Sequence, residues 1–212
     1  LESVRQTLAE APRTFRMLHV GTDEVYGDLE PNDAAWTEEA LIKPSSPYAA
    51  SKASADHLVN AWHRTFGTPV LITRCGNNYG PYQFPEKLIP LVTTRAMAGS
   101  TIPVYGDGMQ VRDWIHAEDH ARALWAVLTR GALGRTYHVS AGEQKNNHEV
   151  ITSILRQLGQ PESLMTRVTD RLGHDRRYAL DNGRITRELG WEPTIRWDEG
   201  IAQTVRWYEE NR

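Results

Sequence analysis

Three short apolar runs, "FRMLHV" (15–20), "PVLITRC" (69–75) and "TYHVSAG" (136–142), alternate with helix-patterned segments along this chain. This alternation constrains the fold most. Strands that read as continuous apolar runs are buried on both faces, and helical crossovers between them give a parallel sheet. The connections predict right-handed βαβ units in a doubly wound α/β architecture. Helical patterns cover "LESVRQTLAEAPRTF" (1–15), 46–67, "EKLIPLVTTRAMAG" (86–99) and 116–131, then 147–159, 182–190 and the C-terminal "DEGIAQTVRWYEENR". On the long 46–67 helix, Ala50, Ala53, His57, Val59 and Trp62 are expected to face the sheet, and Gly67 to end it. "IPVYGDG" (102–108) reads as a short strand and turn, and 27–47 as a loop.

Composition narrows the classes. The 212 residues carry a net charge of −3, so no basic field invites nucleic acid or anionic lipid. The single cysteine, Cys75, favours a reducing cytoplasm and reads as a buried small apolar residue. No apolar run approaches a membrane span. His116 and His120 lie four apart without a third metal ligand, so a solvent-exposed pair at a helix start is expected. In the C-terminal helix Tyr208 fits the apolar stripe of Ile201 and Val205 better than Trp207.

Parallel sheets bind ligands beyond the carboxyl ends of their strands. Two sets of residues fall there: Thr22, Asp23 and Glu24 after the first strand, and Asn77 to Tyr79 after the second. Adjacent carboxylates repel one another and seldom occur where a strand ends inside a core. In different surroundings their pKa values separate, leaving one as acid and one as base. Tyr48 and Lys52 are four apart on one helix and share a face. A nearby ammonium and the helix N-terminus both favour a phenolate, so Tyr48 is expected to act as a base with Lys52 lowering its pKa.

The strings "GTDEVYGDL", "SPYAASKASADHLV", "TRCGNNYGPYQFPEKLIPL", "YGDGMQVRDWIHAEDHARAL" and "DRLGHDRRYALD" together resemble the dTDP-glucose 4,6-dehydratase family of extended short-chain dehydrogenases/reductases. The resemblance implies a Rossmann-like doubly wound sheet with a smaller α+β substrate-binding domain. The expected division is 1–75 and 112–141 for the NAD-binding part, and 76–111 and 142–212 for the nucleotide-sugar part. It further implies an NAD-dependent lyase in which Tyr48 takes the proton of the sugar 4-hydroxyl, Glu24 removes the C5 proton and Asp23 protonates the departing 6-hydroxyl. Thr22 would hold a substrate oxygen, and Asn78, Tyr48 and Lys52 the cofactor.

The implied substrate contacts are Asn77, Lys87, Leu88, Pro103, Val104, Tyr105, Arg112, Asn147, Asp170, Arg171, Gly173 and His174. Asn146 leaves the Asn147 register open by one. Arg112 read alone fits a surface arginine paired with Asp113 equally well. Gly76 stands where the family often has Ser, which is expected to loosen the strand end. The family's first βαβ unit, with its glycine-rich loop for the dinucleotide pyrophosphate, is not in these residues. The sequence is therefore expected to be part of a longer protein. A cytoplasmic homodimer, through the 46–67 and 116–131 helices, is the expected assembly, with deoxysugar (for example rhamnose) supply as its role. The competing readings are a nucleotide-sugar epimerase of the same fold and a non-catalytic sugar-nucleotide-binding module.

Overall fold

The computed structural model describes residues 1–8 and 15–211. Residues 9–14 of the expected first helix lie outside them. In chain order the elements are α1 (Glu2–Leu8), β1 (Met17–Thr22), α2 (Pro47–Phe66), β2 (Val70–Cys75), β3 (Asn77–Tyr79), α3 (Leu88–Met97), β4 (Ile102–Tyr105) and β5 (Val111–His116). They continue with α4 (Ala117–Arg130), β6 (Thr136–Val139), β7 (Gln144–Asn146), α5 (Asn147–Gln157), β8 (Met165–Val168), α6 (Gly183–Leu189) and α7 (Trp197–Glu210).

The three apolar runs form one parallel sheet in the order β1-β2-β6, and the fold is α/β as expected. β2 lies in the middle and is buried at all six positions, which is why it reads as β-branched and apolar. Ser46 caps α2 by accepting the Ala49 amide, Pro47 opens the helix, and Gly67 at φ 66° closes it. The packing face of α2 is Ala49, Ala53, Asp56 and Val59. Ala50 and His57 point to solvent, so the expected face is rotated by one residue. An alanine pair at 49 and 50 fits either register by hydropathy alone.

Two small sheets complete the fold: β3-β5-β7, and the parallel pair β4-β8. A core of Ile89, Val92, Ile102, Val104, Trp114, Ile151, Ile154, Ile201 and Val205 joins α3, α5 and α7 to these strands. Tyr208 is buried and Trp207 only partly so, in line with the stripe read from sequence. The expected two-part division is crossed twice. β5 pairs with β3 and β7 rather than with the first sheet, although its Ile115 packs beside Leu71 and Val139. Ile185, Leu189 and Trp191, assigned to the second part, bury themselves in that same first core. Amphipathic α6 covers whichever apolar surface its loop reaches, and sequence distance does not reveal which.

His116 is buried, not exposed, and its Nδ1 accepts the Glu118 amide at the start of α4. Among the described residues no group of three His, Cys, Asp or Glu side chains gathers as a metal ion requires. Cys75 is buried and its thiol is pushed up to about 12 by burial, first, and by the charge of Asp23.

Gly76 holds the first sheet to the second. A Cβ at this position would stand 2.5 Å from the backbone oxygen of Asp113. Glycine therefore permits the close approach of β5 rather than merely loosening a strand end. Gly76→Ala is expected to destabilise the protein by about 1–3 kcal/mol, as overpacking does. Urea unfolding measures it, and an unchanged midpoint contradicts the close approach.

Candidate active site

The acid pair sits on a single 3-10 turn, Asp23–Tyr26, at the carboxyl end of β1. Thr22 caps it: its Oγ1 accepts the Glu24 amide at 3.3 Å and donates to Asp23 Oδ1 at 3.2 Å. Gly27, at φ 85°, ends the turn where a Cβ would strike the Lys43 carbonyl at 2.3 Å.

The two carboxyls live in different media. Asp23 is 2% exposed, and its Oδ2 has no hydrogen-bond partner among the described residues. Burial, then the charges of Glu24 and Asp113, raise its pKa to about 7. Glu24 is half-buried and opens onto a cleft; burial raises its pKa while Arg112 opposes the rise. Near neutrality, then, one turn presents a buried carboxyl about half protonated beside a cleft-facing one whose rise Arg112 opposes.

Tyr48 is 54% exposed at the start of α2. Its phenol lies above its ordinary pKa through burial and the nearby charges of Glu24, Cys75 and Asp23. Lys52 donates instead to the Val20 carbonyl at 3.2 Å. The expected lowering of the Tyr48 pKa by Lys52 is absent from this arrangement: burial, first, and neighbouring acids raise the phenol, and the ammonium is hydrogen-bonded to β1.

The cleft has a volume of about 370 Å³. Glu24, Asn77, Lys87, Leu88 and Arg112 line one part of it, and Pro103, Tyr105, Asn147, Arg171, Gly173 and His174 another. Arg112 is buried against the face of Tyr178, 4.3 Å from the ring centre, and donates to the Asp175 carbonyl at 2.9 Å. It is not a surface arginine paired with Asp113. Arg171 lies over the Tyr105 ring at 4.5 Å. Asn146 caps α5 in a reciprocal capping box with Glu149, and Asn147 lines the cleft.

Seven expected residues do not line the cleft: Asp23, Tyr48 and Lys52, placed as described above, and Val104, Asp170, Asn78 and Thr22. Val104 points into the core because side chains alternate along β4. Asp170 braces its loop, accepting from Gln110 at 2.9 Å and pairing with His174 at 2.7 Å. Asn78 folds back on the Gly76 carbonyl at 3.2 Å, and Thr22 is occupied as the cap. Sequence reasoning missed Ser46, Glu86, Leu91, Trp114, Leu172, Asp175 and Tyr178, which also line the cleft. The i, i+3 spacing of Asp175 and Tyr178, whose hydroxyl donates to that carboxylate, was the available signal.

A Rossmann-like sheet carrying Thr-Asp-Glu and Tyr-x-x-x-Lys at its carboxyl edge has the architecture of an extended short-chain dehydrogenase/reductase. The chain belongs to the family described as GDP-mannose 4,6 dehydratase, which matches residues 1–204. It is 50% identical to a dTDP-glucose 4,6-dehydratase of Neisseria meningitidis serogroup B, over 98% of this chain and 62% of that protein. It superimposes with a TM-score of 0.91 on the dTDP-glucose 4,6-dehydratase DesIV of Streptomyces venezuelae, crystallised with NAD and TYD. Identity there is 51%, covering 93% of this chain and 61% of that one. The dTDP-glucose 4,6-dehydratase of Bacillus anthracis, in complex with NAD, gives a TM-score of 0.93 at 43% identity, covering 99% and 66%. The chain thus spans about three fifths of the length of the curated relatives it matches. Among the described residues no helix is long and apolar enough to cross a membrane.

The dry Asp23 carboxyl makes stability depend on pH. Below about pH 4 it is neutral in both folded and unfolded chains and contributes nothing. As pH rises to about 7 the unfolded chain ionises while the folded one holds its proton, so stability falls. Asp23→Asn removes this cost. The variant is expected to be more stable than the unsubstituted protein at pH 8, by at most about 4 kcal/mol, and equal to it near pH 3.5. Chemical denaturation at the two pH values checks this; equal stability at both contradicts the dry carboxyl.

Proposed function

We propose that the chain carries the acid, base and nucleotide-sugar contacts of a lyase that dehydrates dTDP-glucose to dTDP-4-keto-6-deoxyglucose. The observation that supports this most is the acid pair on one turn, split between a dry and a cleft-facing environment. Removing water across C5 and C6 needs a base for one carbon and an acid for the oxygen on the next, and neighbouring side chains span adjacent carbons. Glu24 takes the C5 proton. Asp23 gives its proton to the departing 6-hydroxyl. Tyr48 takes the proton of the 4-hydroxyl, and the 4-keto group so formed acidifies C5. After water has left, the hydride taken from C4 returns to C6 and a proton returns to C5. This completes the 4-keto-6-deoxy product and would leave the cofactor oxidised as it began.

The nucleotide lies along the cleft. Arg112 and Arg171, both held against aromatic faces, present guanidinium forks suited to a diphosphate, and Lys87 adds a further positive charge. Pro103 and Tyr105 offer apolar and aromatic surface for the base.

NAD is the proposed cofactor, and the residues present fit its nicotinamide-ribose end. Tyr48 offers an exposed hydroxyl, and Lys52, with one hydrogen bond to Val20, retains donors at the edge of β1. Tyr48 and Lys52 would hold it, and Asn78 would have to leave the Gly76 carbonyl to join them. Bound there, NAD⁺ supplies an acceptor for the C4 hydrogen and a positive ring charge. The Tyr48 phenol, raised by two carboxyls, gains from positive charge nearby. A homodimer through α2 is part of the reading, since Leu58 and Phe66 are exposed on that helix.

The test is product identity, with the protein as the cell makes it. dTDP-glucose should yield a 4-keto-6-deoxy sugar seen by NMR, not a sugar with an inverted carbon. Asp23→Asn with Glu24→Gln should lower turnover at least about 100-fold. The affinity for dTDP, read by calorimetry, should stay within about a factor of two. Turnover that survives the double substitution contradicts the assignment.

A further inference from the structure

Behind the acid turn runs a polar network that the chemistry above does not use. Arg74, in the central strand β2, is 3% exposed, and its Nε donates to Asp56 Oδ2 at 2.7 Å. Asp56 belongs to α2, one helical turn beyond Lys52 and two beyond Tyr48, on the same face. The other arm of Arg74 donates from Nη1 to the Tyr26 hydroxyl, and its guanidinium lies 5.0 Å from the centre of the Tyr26 ring. His19 of β1 approaches the same carboxylate, with Nε2 3.0 Å from Asp56 Oδ1.

Tyr26 is the last residue of the turn that bears Asp23 and Glu24. Its oxygen accepts from Arg74, so its own proton is directed to His138 Nε2, 2.6 Å away. That nitrogen must be bare. His138 then carries its proton on Nδ1 and donates to the Asp181 carbonyl at 3.2 Å. Burial, helped by the Arg74 charge, depresses the His138 pKa to about 3, which keeps the ring neutral. The protons on Arg74 Nε, the Tyr26 hydroxyl and His138 Nδ1 thus each have one assigned acceptor. The Tyr26 ring is also stacked on Trp36, with centres 5.2 Å apart.

We propose that Tyr26 is a positioning residue for the water-elimination step: through its hydroxyl, Arg74 and Asp56 fix the turn bearing Asp23 and Glu24 against the helix bearing Tyr48. This rests on the dehydration reading above. The two halves of the site sit on separate elements, and the buried ion pair bridges them under the cleft. A salt bridge in this position is fixed in direction by its hydrogen bonds, so the turn has little freedom to slide relative to α2.

Tyr26→Phe tests it. The ring and its stack on Trp36 remain while the one oxygen between Arg74 and His138 is removed. Turnover is expected to fall about 10- to 100-fold, as small misplacements of reacting groups cause. KM and the affinity for dTDP should move by less than about a factor of two. The deuterium isotope effect from substrate labelled at C5 should rise, because proton removal by a displaced Glu24 becomes slower than the other steps. A purely structural role would leave that isotope effect unchanged. Unchanged turnover, or a loss without a larger isotope effect, overturns the proposal. Should Tyr26→Phe fail to fold, Asp56→Asn is judged by the same isotope criterion. If the unsubstituted protein yields no 4-keto product, the functional reading has failed and the proposal falls with it; a defect confined to the variants concerns the positioning alone.

Discussion

Arg74 and Asp56 stand 2.7 Å apart in the protein interior, and an ion pair placed there loses hydration on both partners. Attraction in a poorly polarisable interior offsets that loss only when the remaining donors and acceptors are also satisfied. The partners come from elements that otherwise have little reason to keep register: a central strand, the longest helix and the turn after β1. The His19 ring nitrogen lies 3.0 Å from the second Asp56 oxygen. Break the pair and a charge is stranded in the core, which is worse than never having buried it. The geometry of the cleft is therefore tied to the integrity of the first sheet.

On that base two carboxyls differ by environment rather than by residue type. Thr22 caps the turn, Gly27 lets the chain leave it, and the side chains of Asp23 and Glu24 fall on opposite sides of the water boundary. Asp113 adds to the effect, a second buried carboxyl whose pKa is raised to about 7 mainly by burial. It anchors the chain after β6 by accepting the amides of Ala141 and Gly142 at 3.3 and 3.1 Å. Carboxyls that burial keeps from ionising readily are thereby gathered behind the cleft, while Arg112 and Arg171 line it. A sugar nucleotide has the complementary polarity, with a diphosphate at one end and a neutral hexose at the other.

The first sheet was legible because β1, β2 and β6 are apolar runs between helices, a pattern with one common solution. β3, β7 and β8 were not legible, being three or four residues long, polar and paired on few sides. β5 escaped for a different reason: "VRDWIH" carries two charged residues, and only the tertiary structure shows that both are buried. The same limit applied to the site. Asp23 and Glu24, an adjacent acid pair at a strand end, could be singled out in the chain, whereas Arg112 and Asn147 followed only from the family resemblance. Arg74 and Tyr26 were not singled out, since hydrogen-bond partners 48 and 112 residues away leave no local mark. The direction of the Tyr48 shift is not legible either, because Lys52 is adjacent in helical spacing whereas burial, and after it the charges of Glu24 and Asp23, arrive only on folding.

The central claim is that a single hexose meets the acid turn and Tyr48 at once. A crystal structure of the protein with dTDP-glucose bound tests it most directly. The account predicts the diphosphate against Arg112, the C5 hydrogen directed at Glu24, the 6-hydroxyl toward Asp23 and the 4-hydroxyl within hydrogen-bonding reach of Tyr48. A hexose lodged away from the Asp23–Tyr26 turn, with the nucleotide still in the cleft, would contradict it.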